Sequence, residues 1–108
     1  MSRSSRDYLL VPAGGAGEGM GHLMRCLRLS RVLEGSVEFL TSYMDAGARE
    51  YLAQELARRP GPSRPGIVAS LRKARQKKTR QWDLVVVDKR RTTVWEAAQL
   101  GRLGPCVF

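Results

Sequence analysis

The stretch YLLVPAGGAGEGMGHLMRCLRLS, residues 8–30, decides how this chain folds. It opens on a short apolar run, Tyr8 to Val11, passes through Pro12-Ala13-Gly14-Gly15, and then changes period. A continuous apolar run closed by proline and glycine reads as a buried strand followed by a loop. From Gly21 to Leu33 the pattern is helical. Leu23, Leu27 and Ser30 share one stripe, Met24, Cys26, Leu29 and Leu33 widen it, and Arg25, Arg28 and Arg31 drift along a polar edge. Glu34-Gly35-Ser36 closes this helix with a glycine suited to a left-handed cap.

Working outward, Val37 to Thr41 reads as a second strand, and Asp45 as the cap of a second helix carrying Ala48, Tyr51, Leu52 and Leu56 as far as Arg59. PGPSRPG, residues 60–66, is a proline-glycine connector in which helix cannot persist. Ile67-Val68 is a stub of strand, and residues 69–81 form a very basic helix, its turns running from Ser70 to Gln81 with little apolar face. Leu84-Val85-Val86-Val87 is the clearest strand, β-branched and continuously apolar, hence covered on both faces. Thr92 or Thr93 starts a helix through Leu103, stopped by Gly104-Pro105, with Trp95 and Leu100 in its core. Cys106-Val107-Phe108 opens one more strand. Apolar strands alternating with helices imply a parallel sheet with right-handed crossovers, a Rossmann-like α/β fold flanked by helices. Residues 1–108 are expected to form a single domain that stops short of completion, because the last strand is so brief.

Composition narrows the class of protein. At 43% hydrophobic and 27% charged, the 108 residues suit a globular domain with a real core. No apolar run approaches membrane-spanning length, and the N-terminal patch is too short for a signal peptide. Cys26 and Cys106 lie far apart with no CxxC pair or neighbouring histidine, so neither a metal site nor a disulfide framework is expected; the usage fits a reducing cytoplasm. The net charge of +9 resides in one segment: residues 58–80 hold nine bases and no acid, while the rest of the chain balances.

A glycine loop between a first strand and a first helix is the common anion site of such folds, since helix-start N–H groups point outward there. Two familiar fingerprints fail. Gly14 and Gly19 have the spacing of the ATP-binding G-x-x-x-x-G-K-S/T loop, but Met20 and Gly21 follow instead of a lysine and a hydroxyl. The dinucleotide pattern G-x-G-x-x-G finds Met20 or His22 at its last glycine, and Thr41-Ser42 replaces the acid that would hold a ribose. Neither cofactor is expected. What remains is Gly21-His22 in the first turn of a helix. A histidine facing a cleft there can take a proton from water or a substrate hydroxyl; it can equally cap the helix or pack in the loop.

Gly19-Met20-Gly21-His22-Leu23-Met24-Arg25-Cys26-Leu27-Arg28-Leu29 resembles the G-x-G-H-x-M-R-C-L-x-L stretch of the UDP-sugar hydrolases of pseudaminic acid biosynthesis, in the GT-B glycosyltransferase-like superfamily. Trp82 to Asp88 is similar to the D-x-L/V-I/V-V-D strand of that family, and Val37 to Ser42 to its second strand. The resemblance implies the N-terminal half of a GT-B fold, the half that approaches the sugar, with a C-terminal domain or separate chain holding most of the UDP. It implies His22 as the base that activates water at the anomeric carbon of a UDP-linked diacetamido-trideoxy sugar, or an acceptor hydroxyl in transferase relatives. Gly17, Gly19 and Gly21 would let the backbone come close to the substrate, with Arg25 and Asp88 as further substrate contacts. From the residues themselves, Arg25 reads rather as an ion-pair partner on the helix; Asp88, at the end of its strand, reads either as a second polar group in the cleft that orients His22 or a sugar hydroxyl, or, more simply, as the cap of the helix starting at Thr92. After Asp88 this chain has Lys89-Arg90-Arg91 where the family often has histidine and tyrosine; these bases either help bind substrate phosphates or are simply solvated.

A second class of function stays open. Arg72 to Arg80 carries six bases in nine positions and could meet an anionic membrane surface or RNA, making the chain a non-catalytic basic α/β module. The absence of interleaved aromatics and of any nucleic-acid motif weighs against RNA, and a solvated helix face is the plainer reading. Cys26, on the apolar stripe, is expected to be buried and inert.

Overall fold

The computed structural model describes residues 6–59, 61, 64–77 and 81–108. Five strands and four helices alternate: β1 Arg6–Pro12, α1 Gly21–Ser30, β2 Gly35–Leu40, α2 Ala46–Ala57, β3 Gly66–Val68, α3 Leu71–Lys77, β4 Leu84–Asp88, α4 Val94–Gly101 and β5 Cys106–Val107. The strands form one sheet in the order β3-β2-β1-β4-β5, and every pairing is parallel. This is a Rossmann-like α/β fold.

The apolar runs are continuous because both faces of the sheet are covered. Along β1, Leu9, Leu10 and Val11 are all 0% exposed although successive side chains point to opposite faces. Leu10, Val37 and Phe39 pack under α1 and α2 with Leu23, Leu27, Ala48 and Leu52. Leu9, Val11, Leu40, Val85 and Val87 pack under α3 and α4 with Ala74, Leu100 and Trp82. The chain therefore winds from β1 outward with helices on one face, then returns past β1 and winds the other way on the opposite face. At the reversal, between β1 and β4, the helices that follow the two strands pack on opposite faces of the sheet, and it is at the carboxyl ends of such strands that open α/β sheets bind ligands.

The expected elements shift in several places. Helix α1 stops at Ser30 rather than Leu33, its end closed by the N–H groups of Arg31, Val32 and Leu33 bonding back to Arg28 and Leu29. Gly35 is not its left-handed cap: it opens β2 at φ 142°, where a β-carbon would lie 2.3 Å from the Arg6 carbonyl oxygen. The basic helix is shorter than 69–81. Ser70 precedes it, accepting a hydrogen bond at 3.1 Å from the Lys73 N–H, and Leu71–Lys77 is helical; its expected continuation through 78–80 lies outside the described residues. Of the connector, residues 60, 62 and 63 also lie outside them, and Gly66 already belongs to β3. Leu100 is buried, but Trp95 is 71% exposed and is not a core residue.

Candidate functional site

The glycine loop, the start of α1 and the end of β4 meet at the carboxyl ends of β1 and β4. Parallel pairing sets Pro12 beside Asp88, and the Ala13 N–H donates to the Asp88 carbonyl at 3.1 Å. The end of β4 thereby lies against the beginning of the loop. From there the chain turns back on itself: Gly15 and Gly19 exchange backbone hydrogen bonds at 3.0 and 2.7 Å, making a tight hairpin.

Asp45 clamps this hairpin from β2's side. One carboxylate oxygen accepts the Ala48 N–H at 2.9 Å, capping α2, and the other accepts the Ala16 N–H at 3.0 Å. These two backbone bonds, Ala48's first, hold the Asp45 carboxyl below the usual carboxylate range. The clamp requires glycine at residue 15, which has φ +133° and whose β-carbon would lie 2.3 Å from the Asp45 carboxyl carbon. Asp45 was legible as a helix cap; its grip on the loop was not.

Gly17, Gly19 and Gly21 are different. A β-carbon at Gly17 or Gly19 would meet nothing within 4 Å, and one at Gly21 only the Arg25 guanidinium at 3.9 Å. Gly19 owes its glycine to a left-handed φ of 72°. Gly17 and Gly21 have neither positive φ nor crowding, and in a helix glycine is about 1 kcal/mol worse than alanine. Directly beyond them α1 starts without a side-chain cap, with Met20 at the capping position and no acid in its first turn. The N–H groups of Gly21, His22 and Leu23, which no carbonyl inside the helix can reach, have no partner among the described residues.

Asp88 joins the end of β4 to the start of α1. His22 Nδ1 lies 2.7 Å from Asp88 Oδ1, while Arg25 donates from Nε to Oδ2 at 2.9 Å and from Nη2 to Oδ1 at 2.8 Å. The forked Arg25 bonds are the main reason the Asp88 carboxyl is held below its ordinary range; partial burial opposes them and the His22 bond reinforces them. An ionised carboxylate can only accept, so Nδ1 carries the proton of the short contact. Arg25 Nη2, 3.0 Å from Nδ1, then shares the same oxygen rather than bonding to the ring. In neutral imidazole this tautomer leaves Nε2 with the lone pair. Asp88 does not cap the next helix: Thr93 does, in a reciprocal capping box with Glu96.

The side chain that sequence reasoning missed is Glu18. It stands in the hairpin with Oε1 3.6 Å from His22 Nε2, longer than a hydrogen bond. That oxygen is buried and has no hydrogen-bond partner among the described residues. The spacing of four residues to His22 was the available signal, and it lay outside any helical pattern.

The basic residues are more occupied than their number suggests. Arg59 donates to Ser30 Oγ at 2.7 Å and the Leu27 carbonyl at 3.1 Å, closing the end of α1. Arg64 donates to the carbonyls of Ala57 and Arg59, closing α2, and Lys77 pairs with Glu38 at 2.8 Å. Arg72 and Arg75 border an open depression of about 550 Å³. After β4, Lys89 is committed to Glu96 and the Arg91 carbonyl, both at 2.8 Å, and lies over the Tyr43 ring. Arg90 and Arg91 are exposed, Arg90 on a crevice of about 450 Å³ that also touches Thr93, Val94 and Phe108 but no residue of the glycine loop. Burial pushes the Cys26 thiol up to about 12.

Among the described residues, no cluster of three or more His, Cys, Asp or Glu is placed to hold a metal ion, and no helix is long and apolar enough to cross a membrane. Comparison with known proteins finds no matching family model, no matching curated protein and no matching solved structure.

Proposed function

We propose that this chain is the N-terminal, sugar-side domain of a nucleotide-sugar hydrolase or glycosyltransferase of the GT-B kind, working with a second domain that holds most of the nucleotide. The observation that carries this reading is the 2.7 Å contact between His22 Nδ1 and Asp88, which orients the ring and leaves Nε2 as the proton acceptor. Its position supports the reading too, since ligands of open α/β sheets gather where the winding reverses. The glycines give clearance: Gly17 and Gly21 have no intramolecular need to be glycine, and Gly21 itself carries one of the unpaired N–H groups that favour an anionic ligand.

In the proposed reaction a water, or an acceptor hydroxyl, attacks the anomeric carbon of a UDP-sugar. Its proton passes to His22 Nε2 as the new carbon–oxygen bond forms, and the bond to the diphosphate breaks with UDP as leaving group. The proton then passes from His22 to solvent. Asp88 holds the ring and offsets the charge it gains, while Arg25 holds Asp88 in place as a positioning residue.

The test is hydrolysis of UDP-linked acetamido sugars, followed as UDP release, together with calorimetric titration of the same compounds. This domain alone is expected to turn over weakly or not at all, so the variants are read in the enzyme completed by its nucleotide-holding domain: His22→Ala should reduce turnover by about 10²–10⁴-fold with the fold intact, and Asp88→Asn should reduce it by less. Undiminished turnover in His22→Ala removes the histidine from this role. Absence of UDP-sugar binding at millimolar concentration, together with tight salt-sensitive binding to RNA or anionic vesicles, would replace this reading with the basic-module one.

A further inference from the structure

We propose that Glu18 is a gate on His22: its carboxylate covers Nε2 in the resting protein and must swing aside before the imidazole can meet a proton donor. The inference rests on the reading above for its purpose, though not for its geometry.

Three features of the site point this way. The Nδ1 side of the ring is closed by Asp88 at 2.7 Å and by Arg25, so Nε2 is the nitrogen left for outside chemistry. The approach to Nε2 is occupied by Glu18 Oε1 at 3.6 Å, and the His22 side chain is only 16% exposed. The cover is also poised rather than locked. Glu18 Oε1 is buried without a hydrogen-bond donor, whereas the Glu18 side chain as a whole is 38% exposed, so rotation toward solvent restores hydration that the covering position denies it.

The hairpin makes such a swing local. Its base is fixed by the mutual bonds of Gly15 and Gly19 and by the Asp45 bond to Ala16. Its tip has room, since the position of a missing β-carbon at Gly17, next to Glu18, faces open space. A nucleotide-sugar brings negative charge to this loop and would repel the Glu18 carboxylate, so the ligand itself favours the open position. The device keeps the base covered until an anion arrives.

The chain has a single histidine, so ethoxyformylation by diethyl pyrocarbonate, followed by absorbance and confirmed by mass, reads His22 alone. Rates are compared on their alkaline plateaus, so that differences in ring protonation drop out. Glu18→Ala should raise the plateau rate about tenfold over the wild type. Glu18→Gln keeps the bulk of the cover and offers Nε2 an N–H, so it should react no faster than the wild type. An unchanged rate in Glu18→Ala, or an equal rise in Glu18→Gln, overturns the gate. Circular dichroism of each variant establishes that the fold is retained. These rates need no substrate, so the two ideas fail separately: undiminished turnover in His22→Ala of the completed enzyme removes the enzymatic reading and leaves the gate, and unchanged modification rates do the reverse.

Discussion

Two helices begin just beyond neighbouring strands of the same sheet, and they begin in opposite ways. Helix α4 begins in a reciprocal box: Thr93 Oγ1 accepts the Glu96 N–H at 3.0 Å, Glu96 Oε1 accepts the Thr93 N–H at 3.0 Å, and Lys89 holds the same glutamate. Helix α1 has no side-chain cap, and the loop before it directs its hydrogen bonds inward, to its own hairpin and to Asp45. One loop caps its helix with a side chain, while the other holds a shape and leaves the helix start without one. At the carboxyl end of a parallel sheet, unpaired donors beside an oriented histidine mark the place to look for a ligand.

The contrast breaks most severely at Gly15. Gly15→Ala forces a β-carbon into the Asp45 carboxyl at positive φ, and should cost about 3 kcal/mol or more in urea unfolding. A wild-type midpoint would mean that the clamp does not shape the loop. Asp88→Asn removes the charge that joins His22 to Arg25 and should cost about 2 kcal/mol. It also has a signature in pH. The Asp88 carboxyl is held below its ordinary range, so its stabilisation is complete above the unfolded value near about 4 and is lost as pH falls through the lower folded value. Asp45 and Glu96 shift in the same direction. Stability should therefore fall below about pH 4, and Asp88→Asn should flatten that limb only in part.

A smaller effect tests the capped helix. Thr93→Ala should cost about 1 kcal/mol by removing half of the capping box. The smallest belongs to the open glycines. Gly17→Ala should change stability by no more than about 0.5 kcal/mol, since its β-carbon meets nothing. If the loop admits a ligand, that same silent substitution should weaken UDP-sugar binding in a titration; unchanged affinity would turn Gly17 back into an ordinary turn residue.

The alternation of strand and helix was legible because each apolar run is buried on two faces, and local chemistry such as the Asp45 cap was legible because it acts across three residues. What acts between distant segments was not. Nothing local states that β1 pairs with both β2 and β4, so the reversal of winding appears only in three dimensions. His22 and Asp88 were each singled out, but Asp88 was better explained by capping until Thr93 proved to do that work. Trp95 was placed in the core by its hydrophobicity; it sits five residues before Leu100, about 140° around the helix, and so faces outward when Leu100 faces inward. The count of bases from 58 to 80 could not disclose that Arg59 and Arg64 close helix ends, because their partners are backbone carbonyls.

The β1–β4 pairing has a consequence in time as well as in space. Tyr8 meets Leu84 across most of the chain, and the histidine and aspartate beside that pairing are separated by 66 positions. Contacts of such sequence separation close large loops and form slowly. The glycine loop is closed by contacts a few residues apart, whereas Asp88 joins it only when β4 pairs with β1. The imidazole thus has no fixed orientation until the fourth strand is in place, which makes the Nδ1 proton resonance of the lone histidine a late marker of correct folding.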